Sequence, residues 1–399
     1  MNRITRLAGA AGAVLCLGVL GACRDEPVAP TQSALVPNLN QASLRHAGTI
    51  TVFDAPGAGT GAGEGTYPSD MNPAGVITGI YLDGGDVLHS FVRTPDGKFT
   101  TFDAPGAGTA AGQGTVAADM NPEGALTGWY ADGGNVAHGF LRSPRGRFTT
   151  IDVPNAQGTV TWNINPAGVL AGLSTDANGA VHGLVRAPNG KLTTFDAPGA
   201  GTGPGQGTWD GSASCINPAG AVTGWYIDAL GVNHGFVRAP HGAMTEFDAP
   251  SAGTAAGQGT TSASINPAGA VTGPYTDAQG VNHGFMRVAH GTITTFDVPG
   301  AGTGAGQGTV PQGINPAGVT GGYYVDGGGV AHGFARDPDG KITTVDAPGA
   351  GTGPGQGTFL LTPDPAGAFA GYSVDGNGVY HGVLWTGWPE HHELAEAGR

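Results

Sequence analysis

Residues Gly259–Pro299 read GTTSASINPAGAVTGPYTDAQGVNHGFMRVAHGTITTFDVP, and three short turn sequences divide them. GTTSASIN is a strand that PAG turns, AVTGPYTD a second that AQG turns, VNHGFMRV a third that AHG turns, and TITTFDVP a fourth. Pro- and Gly-bearing turns between such runs make hairpins, so the stretch predicts one four-stranded antiparallel meander. The His-Gly-Phe at its centre recurs in near variants at His89, His138, His182, His234, His283, His332 and His381, with spacings of 49, 44, 52, 49, 49 and 49 residues. A fixed period of this size marks a repeat architecture in which each unit is a small sheet that cannot bury its faces alone. Seven such units predict an all-β fold, a seven-bladed β-propeller of four-stranded antiparallel blades. A β-solenoid is the competing architecture, but its coils are usually shorter and need no hairpin turns.

The ends of the array argue for a closed ring. An extra fourth-type strand, TITVFDAP at Thr49–Pro56, precedes the first complete unit, and the last unit stops after its third strand, YHGVLW at Tyr380–Trp385. Strand 49–54 is therefore expected to complete the last blade and remove the free sheet edges. On this reading the propeller covers residues 49–386 and leaves a C-terminal tail at 387–399.

Composition agrees with a repeat protein and excludes some partners. Glycine and proline supply 76 and 29 of the 399 residues, which without a period would suggest disorder; here the glycines fall at fixed offsets that look like turns. Charged residues are 12% of the chain and the net charge is −14. Nucleic acid is not expected as a partner, because phosphate binding needs clustered Lys and Arg.

The first residues read as an address. Arg3 and Arg6 precede an apolar stretch, Leu7 to Leu20, that is too short to span a bilayer as a helix, and Leu20-Gly21-Ala22-Cys23 resembles the bacterial lipobox. The resemblance implies a signal peptide at 1–22, cleavage before Cys23 and lipidation of that residue, which would anchor the protein to a membrane. The plain alternative is a signal peptide whose cysteine is incidental. Residues 23–48, with Pro27, Pro30 and Pro37, read as a flexible linker. With Cys16 removed and Cys23 lipidated, Cys215 remains alone and no disulfide can form within the mature chain.

The stretch INPAGAVTGWYIDALGVNHGFVRAPHGAMTEFDAP, Ile216–Pro250, resembles the bacterial extracellular HAF repeat, with His-Gly-Phe in place of His-Ala-Phe. The likeness covers roughly residues 49 to 386 and implies a secreted or surface propeller-like protein without an established activity. Ser90, Leu184 and Val383 depart from the triplet, and Asp364-Pro365 stands where Ile-Asn is expected.

Recurring polar residues allow a structural and a functional reading. Second strands end in aspartates such as Asp228, Asp277 and Asp326, and fourth strands end in others such as Asp248, Asp297 and Asp346; both sets are expected on one face. They could bind Ca²⁺, the one cofactor considered, through carboxylate oxygens. Alternatively each Asp opens its turn by accepting backbone N–H groups, which is favoured because no unit has a dense DxDxDG loop. The histidines, one per blade, are expected to satisfy a buried backbone or Asn partner rather than to meet on a metal. Loops such as GAGTGPGQG, Gly199–Gly207, lack the Lys-Ser/Thr of a phosphate cradle.

Where the symmetry breaks, function is more readily sought. The connection before the third unit shrinks to PNAQG at Pro154–Gly158, and the fourth unit gains three residues, read most simply as Trp209, Asp210 and Gly211. With Trp162 on the strand after the short loop, two indoles are expected to flank a groove suited to sugar rings; packing between blades is the alternative. Cys215 stands where other units have Asp70, Asp119, Asn163, Ser264 or Gly313, a position expected to line a wet central channel, acidic on one arc. No base is expected beside it. The chain thus reads as a non-catalytic, lipid-anchored cell-envelope module, monomeric, periplasmic or surface-exposed, that binds a glycan or an envelope protein or acts as a scaffold. The alternative is a carbohydrate-active propeller, lectin or polysaccharide lyase, using Trp162, Trp209 and Asp210.

Overall fold

A computed structural model describes residues 48–210 and 214–386. All the regular structure among them is β: 29 strands joined in one sheet. The first five fix the pattern: β1 (Thr49–Phe53), β2 (Gly65–Met71), β3 (Ile77–Leu82), β4 (Leu88–Arg93) and β5 (Phe99–Phe102). β2 to β5 pair antiparallel in chain order, and this meander returns with each His-Gly-Phe triplet. In the Gly259 unit the first strand appears as two short pieces, Gly259–Thr260 and Ser264–Ile265, around an irregular stretch.

The triplet shows why these residues form this sheet. Phe91, Phe140, Phe236, Phe285 and Phe334 are fully buried, as are their replacements Leu184 and Val383 to within 1%. Each such burial contributes roughly 1.5–3 kcal/mol. The preceding glycine leaves room for the fourth-strand aromatic: a Cβ at Gly183 would lie 2.4 Å from the Phe195 ring, and one at Gly382 would lie 2.4 Å from Phe53. The histidine, two residues before the phenylalanine, shares its face of the sheet and stays partly exposed nearer the strand's start, where Tyr81 stacks on His89.

The two ends of the chain meet in the sheet. β1 pairs antiparallel with Tyr380–Thr386 from Thr49↔Thr386 to Phe53↔Gly382, so the first strand does complete the last meander. Threonine hydroxyls then latch each meander to the next. Thr66 Oγ1 accepts from Ala55 N at 2.9 Å, and Thr115, Thr208, Thr260 and Thr309 do the same for Ala104, Ala197, Ala249 and Val298.

The glycine-rich connections are a second latch. Gly112 N donates to Asp86 O and Gly205 N to Gly179 O, tying each loop to the turn of the preceding meander. Their backbone donors are satisfied within the protein, as buried donors must be. Gly114, Gly207, Gly259, Gly308 and Gly357 end these loops with φ between 110° and 120° and pair in parallel with the preceding third strand. After the short PNAQG connection, Gly158 has no such φ and pairs only with its own meander, at Thr175.

Second-strand positions Ile80, Trp129, Leu173, Trp225, Tyr323 and Tyr372 share one apolar cluster with first-strand Tyr67, Val116, Val160, Trp209, Val310 and Phe359. This cluster runs through the first strands, beside the axial cavity described next.

Candidate functional site

The turns after the first strands converge on a cavity of about 170 Å³. Its rim is built from Asn-Pro turns that brace one another. Asn165 Nδ2 donates to Asn217 O, Asn217 to Asn266 O, Asn266 to Asn315 O and Asn315 to Asp364 O, at 3.1–3.4 Å. Each Asn Oδ1 meanwhile accepts from its own turn, as Val169 N to Asn165 at 2.9 Å. Asp364 caps its turn in the same way, accepting from Ala368 N at 2.8 Å. It therefore holds the Asn place and Pro363 the Ile place, a correction by one residue to the expected substitution of Asp364-Pro365 for Ile-Asn.

Below the rim lies the acidic arc expected of the channel. Asp119 is buried; its Oδ2 accepts from Ile164 N at 2.7 Å, and Asp70 Oδ2 accepts from Met120 N at 3.3 Å. Burial and then the Asp119 charge push the Asp70 carboxyl well above the usual carboxylate range, and burial also raises Asp119. A pair that shares one proton carries a single negative charge, and this pair lines the cavity. Both precede an Asn-Pro turn in the same context, Asp70-Met71-Asn72-Pro73 and Asp119-Met120-Asn121-Pro122, a recurrence that could have marked the pair.

Trp209 does not flank the expected groove, because it is buried. Trp209 and Asp210 lie on a regular first strand, Gly207–Asp210, and are 5% and 2% exposed. Trp209 pairs with Trp225 and stacks on it at 6.1 Å, where Val116 faces Trp129 in another unit. Trp209 is thus a regular core residue, and the three extra residues of this unit fall after Asp210, with Gly211 and its two successors outside the described residues. Trp162 sits at a β-bulge between Thr161 and Asn163, half-buried and edge-on to Trp129 at 6.5 Å.

Cys215, fully buried, has a neighbour that was not expected: Asp210 Oδ2 lies 3.9 Å from its sulfur. Burial, then the charge of Asp210, pushes the thiol up, and burial raises Asp210 well above the carboxylate range. A buried thiol pushed up in this way is a poor nucleophile.

The histidines have carboxylate partners rather than backbone or Asn ones. His89 Nδ1 lies 3.0 Å from Asp103 and its Nε2 3.5 Å from Asp83, so one ring joins the ends of the second and fourth strands. The same bracket recurs around His234 with Asp228 and Asp248, His283 with Asp277 and Asp297, and His332 with Asp326 and Asp346. Tyr81, Tyr226, Tyr275 and Tyr324 stack on these rings at 4.9–5.0 Å. Asp228, Asp277 and Asp326 also accept two backbone N–H bonds each through Oδ1, which is the turn-opening role. Their carboxylates are thereby engaged twice, and no group of three or more His, Cys, Asp or Glu among the described residues is arranged to hold a metal ion.

No protein family matches the sequence, and no curated protein is similar to it. In shape it resembles the BP39L lectin from Burkholderia pseudomallei, with a TM-score of 0.51 at 10% identity over 81% of this chain and 96% of that one. It also resembles a prolyl endopeptidase, with a TM-score of 0.52 at 12% identity over 83% of this chain and half of the enzyme's length. At such identities the likeness carries the fold alone: the chain is a β-propeller.

Proposed function

We propose that this chain is a lipid-anchored protein of a bacterial cell envelope, related to the HAF-repeat proteins, whose seven-bladed propeller serves as a monomeric, non-catalytic binding or scaffold module. One observation carries the reading. The recurring chemistry-bearing side chains are consumed by the fold: histidines are bracketed by aspartates, turn aspartates are held by backbone N–H groups, and the cysteine is buried with its thiol pushed up. Blade number follows from one meander per triplet, with β1 completing the last. The axial cavity, smaller than the ~300–1,000 Å³ of a drug-sized ligand site, is suited to water or a small cation beside the Asp70–Asp119 charge. Binding of a macromolecular partner therefore falls to the outer faces.

A second reading, a lectin or polysaccharide lyase, is favoured by the half-buried Trp162 on the strand that follows the shortened connection. A glycan array probed with wild type and Trp162→Ala separates the two. Absence of any glycan signal supports the scaffold reading. A glycan bound by wild type and lost in the variant overturns it, and depolymerisation of that glycan would make the protein an enzyme.

A further inference from the structure

Charge is sorted between the two ends of the propeller. Every Lys and Arg among the described residues lies where third strands end and fourth strands begin. Arg93, Arg142, Arg186, Arg238, Arg287 and Arg336 close third strands, and Lys98, Arg145, Arg147, Lys191 and Lys341 lie in the turns that follow. The opposite end carries the aspartates that close second and fourth strands, with no Lys or Arg among them. At the basic end the opposing carboxylates are Asp96, Glu123, Asp337, Asp339 and Asp364, with Asp70 and Asp119 at the axial cavity, seven against eleven basic side chains. Lys98, Arg145, Arg147, Lys191 and Lys341 are exposed.

The arginines are fixed in place by aromatic rings. Arg93, Arg142, Arg238, Arg287 and Arg336 each lie 4.4–4.8 Å over the ring of an aromatic from the preceding fourth strand. The Nε atoms of Arg93, Arg142, Arg238 and Arg287 are buried and have no hydrogen-bond partner. Stacking holds the guanidinium planes without neutralising their charge, and Asp96 lies near enough to Arg93 to interact with it.

The chain enters at this same end. Thr49 pairs with Thr386 beyond the last third-strand position, so the segment that precedes Gly48 joins the propeller among the basic turns. We propose that this basic end docks on an anionic lipid surface, turning the Asp-His-Asp end away from the membrane. The orientation rests on the anchored reading of Cys23. A tether of residues 24–48 could extend about 85 Å and would by itself leave the propeller free to turn. The net charge of −14 does not oppose docking. A six-residue strand separates the two ends by roughly 20 Å, about twice the ~8–10 Å screening length at physiological salt, so a surface feels the near end.

The test uses the full chain carrying Cys23→Ser, sedimented with vesicles of phosphatidylcholine alone or with one third phosphatidylglycerol. Docking predicts sedimentation with the anionic vesicles only. It also predicts weakening on the order of a hundredfold in the triple variant Lys98→Glu, Lys191→Glu, Lys341→Glu, with an unchanged melting temperature. If wild type sediments with both vesicles while Cys23→Ser sediments with neither, the anchor stands and docking is overturned. If Cys23→Ser binds anionic vesicles and wild type carries no acyl chain, docking stands and the anchor falls. Retention on a sulfated polysaccharide without vesicle binding would overturn the lipid surface as the occupant.

Discussion

Asp70 and the turn aspartates are the same residue type with opposite effects on stability. Asp132 and Asp326 sit below the usual carboxylate range, chiefly because Val136 N and Val330 N donate to them. A depressed group stabilises the fold above its unfolded value, and that contribution is lost as pH falls below about 4. Asp70 is raised, so the folded state binds its proton more tightly than the unfolded chain. Its cost is absent below about pH 4 and grows as pH rises towards its folded value. Asp70→Asn keeps an acceptor for Met120 N and removes that cost. At pH 7 to 8 the variant should be more stable by on the order of 1 kcal/mol, one pKa unit, or roughly 2 °C in Tm. Near pH 4 the two melting curves should coincide; a variant less stable than wild type at both pH values would contradict the shared proton. The turn role of the aspartates was legible because Asp before a Gly-bearing turn has a local cause. The His-Asp bracket was not, since its partners are 6 and 14 residues from the ring in opposite directions and meet only after two hairpins form.

Elements were legible where local chemistry sets them, and misread where an insertion could slide. The three extra residues of the fourth unit cannot be placed by period alone; strand pairing places Trp209 opposite Trp225 and pushes the insertion past Asp210. The 44-residue spacing was read correctly as a lost loop, but its consequence for the sheet was not, because a parallel bridge is a contact between neighbouring meanders. Gly114 and Gly158 test that difference. At Gly114, with φ of 120°, a Cβ would lie 2.0 Å from Leu88 O, whereas at Gly158 the nearest atom would be 3.5 Å away. Gly114→Ala should cost about 2–3 kcal/mol through strain and a displaced third strand, while Gly158→Ala should stay within about 0.5 kcal/mol. Denaturant midpoints of the two variants measure this, and equal midpoints would mean that the glycine loops do not latch the sheet.

At the scale of the molecule, an open array of meanders would expose Tyr380–Thr386 as an unpaired edge. β1 covers it from 327 residues away, measured by the bond between His381 and Asp54. Phe53 and Ala55 also fill a core cluster with Met71, Ile77 and Phe91 of the first meander, so one strand bonds the last unit while its side chains pack on the first. Loss of Phe53 alone forfeits roughly 1.5–3 kcal/mol of burial, and the ladder and the Thr66–Ala55 bond add about 1 kcal/mol per hydrogen bond. A truncation beginning at Gly57 should therefore melt at least about 10 °C lower, at roughly 2–4 °C per kcal/mol, or aggregate through the bare edge, while Thr49→Ala at the exposed start of β1 should melt as wild type. The residues before Gly48 are lost in the same truncation, so a second one beginning at Gly48 is the control and should melt as the full chain does. If both truncations melt alike, the ring is held by contacts between meanders and its closing strand is dispensable.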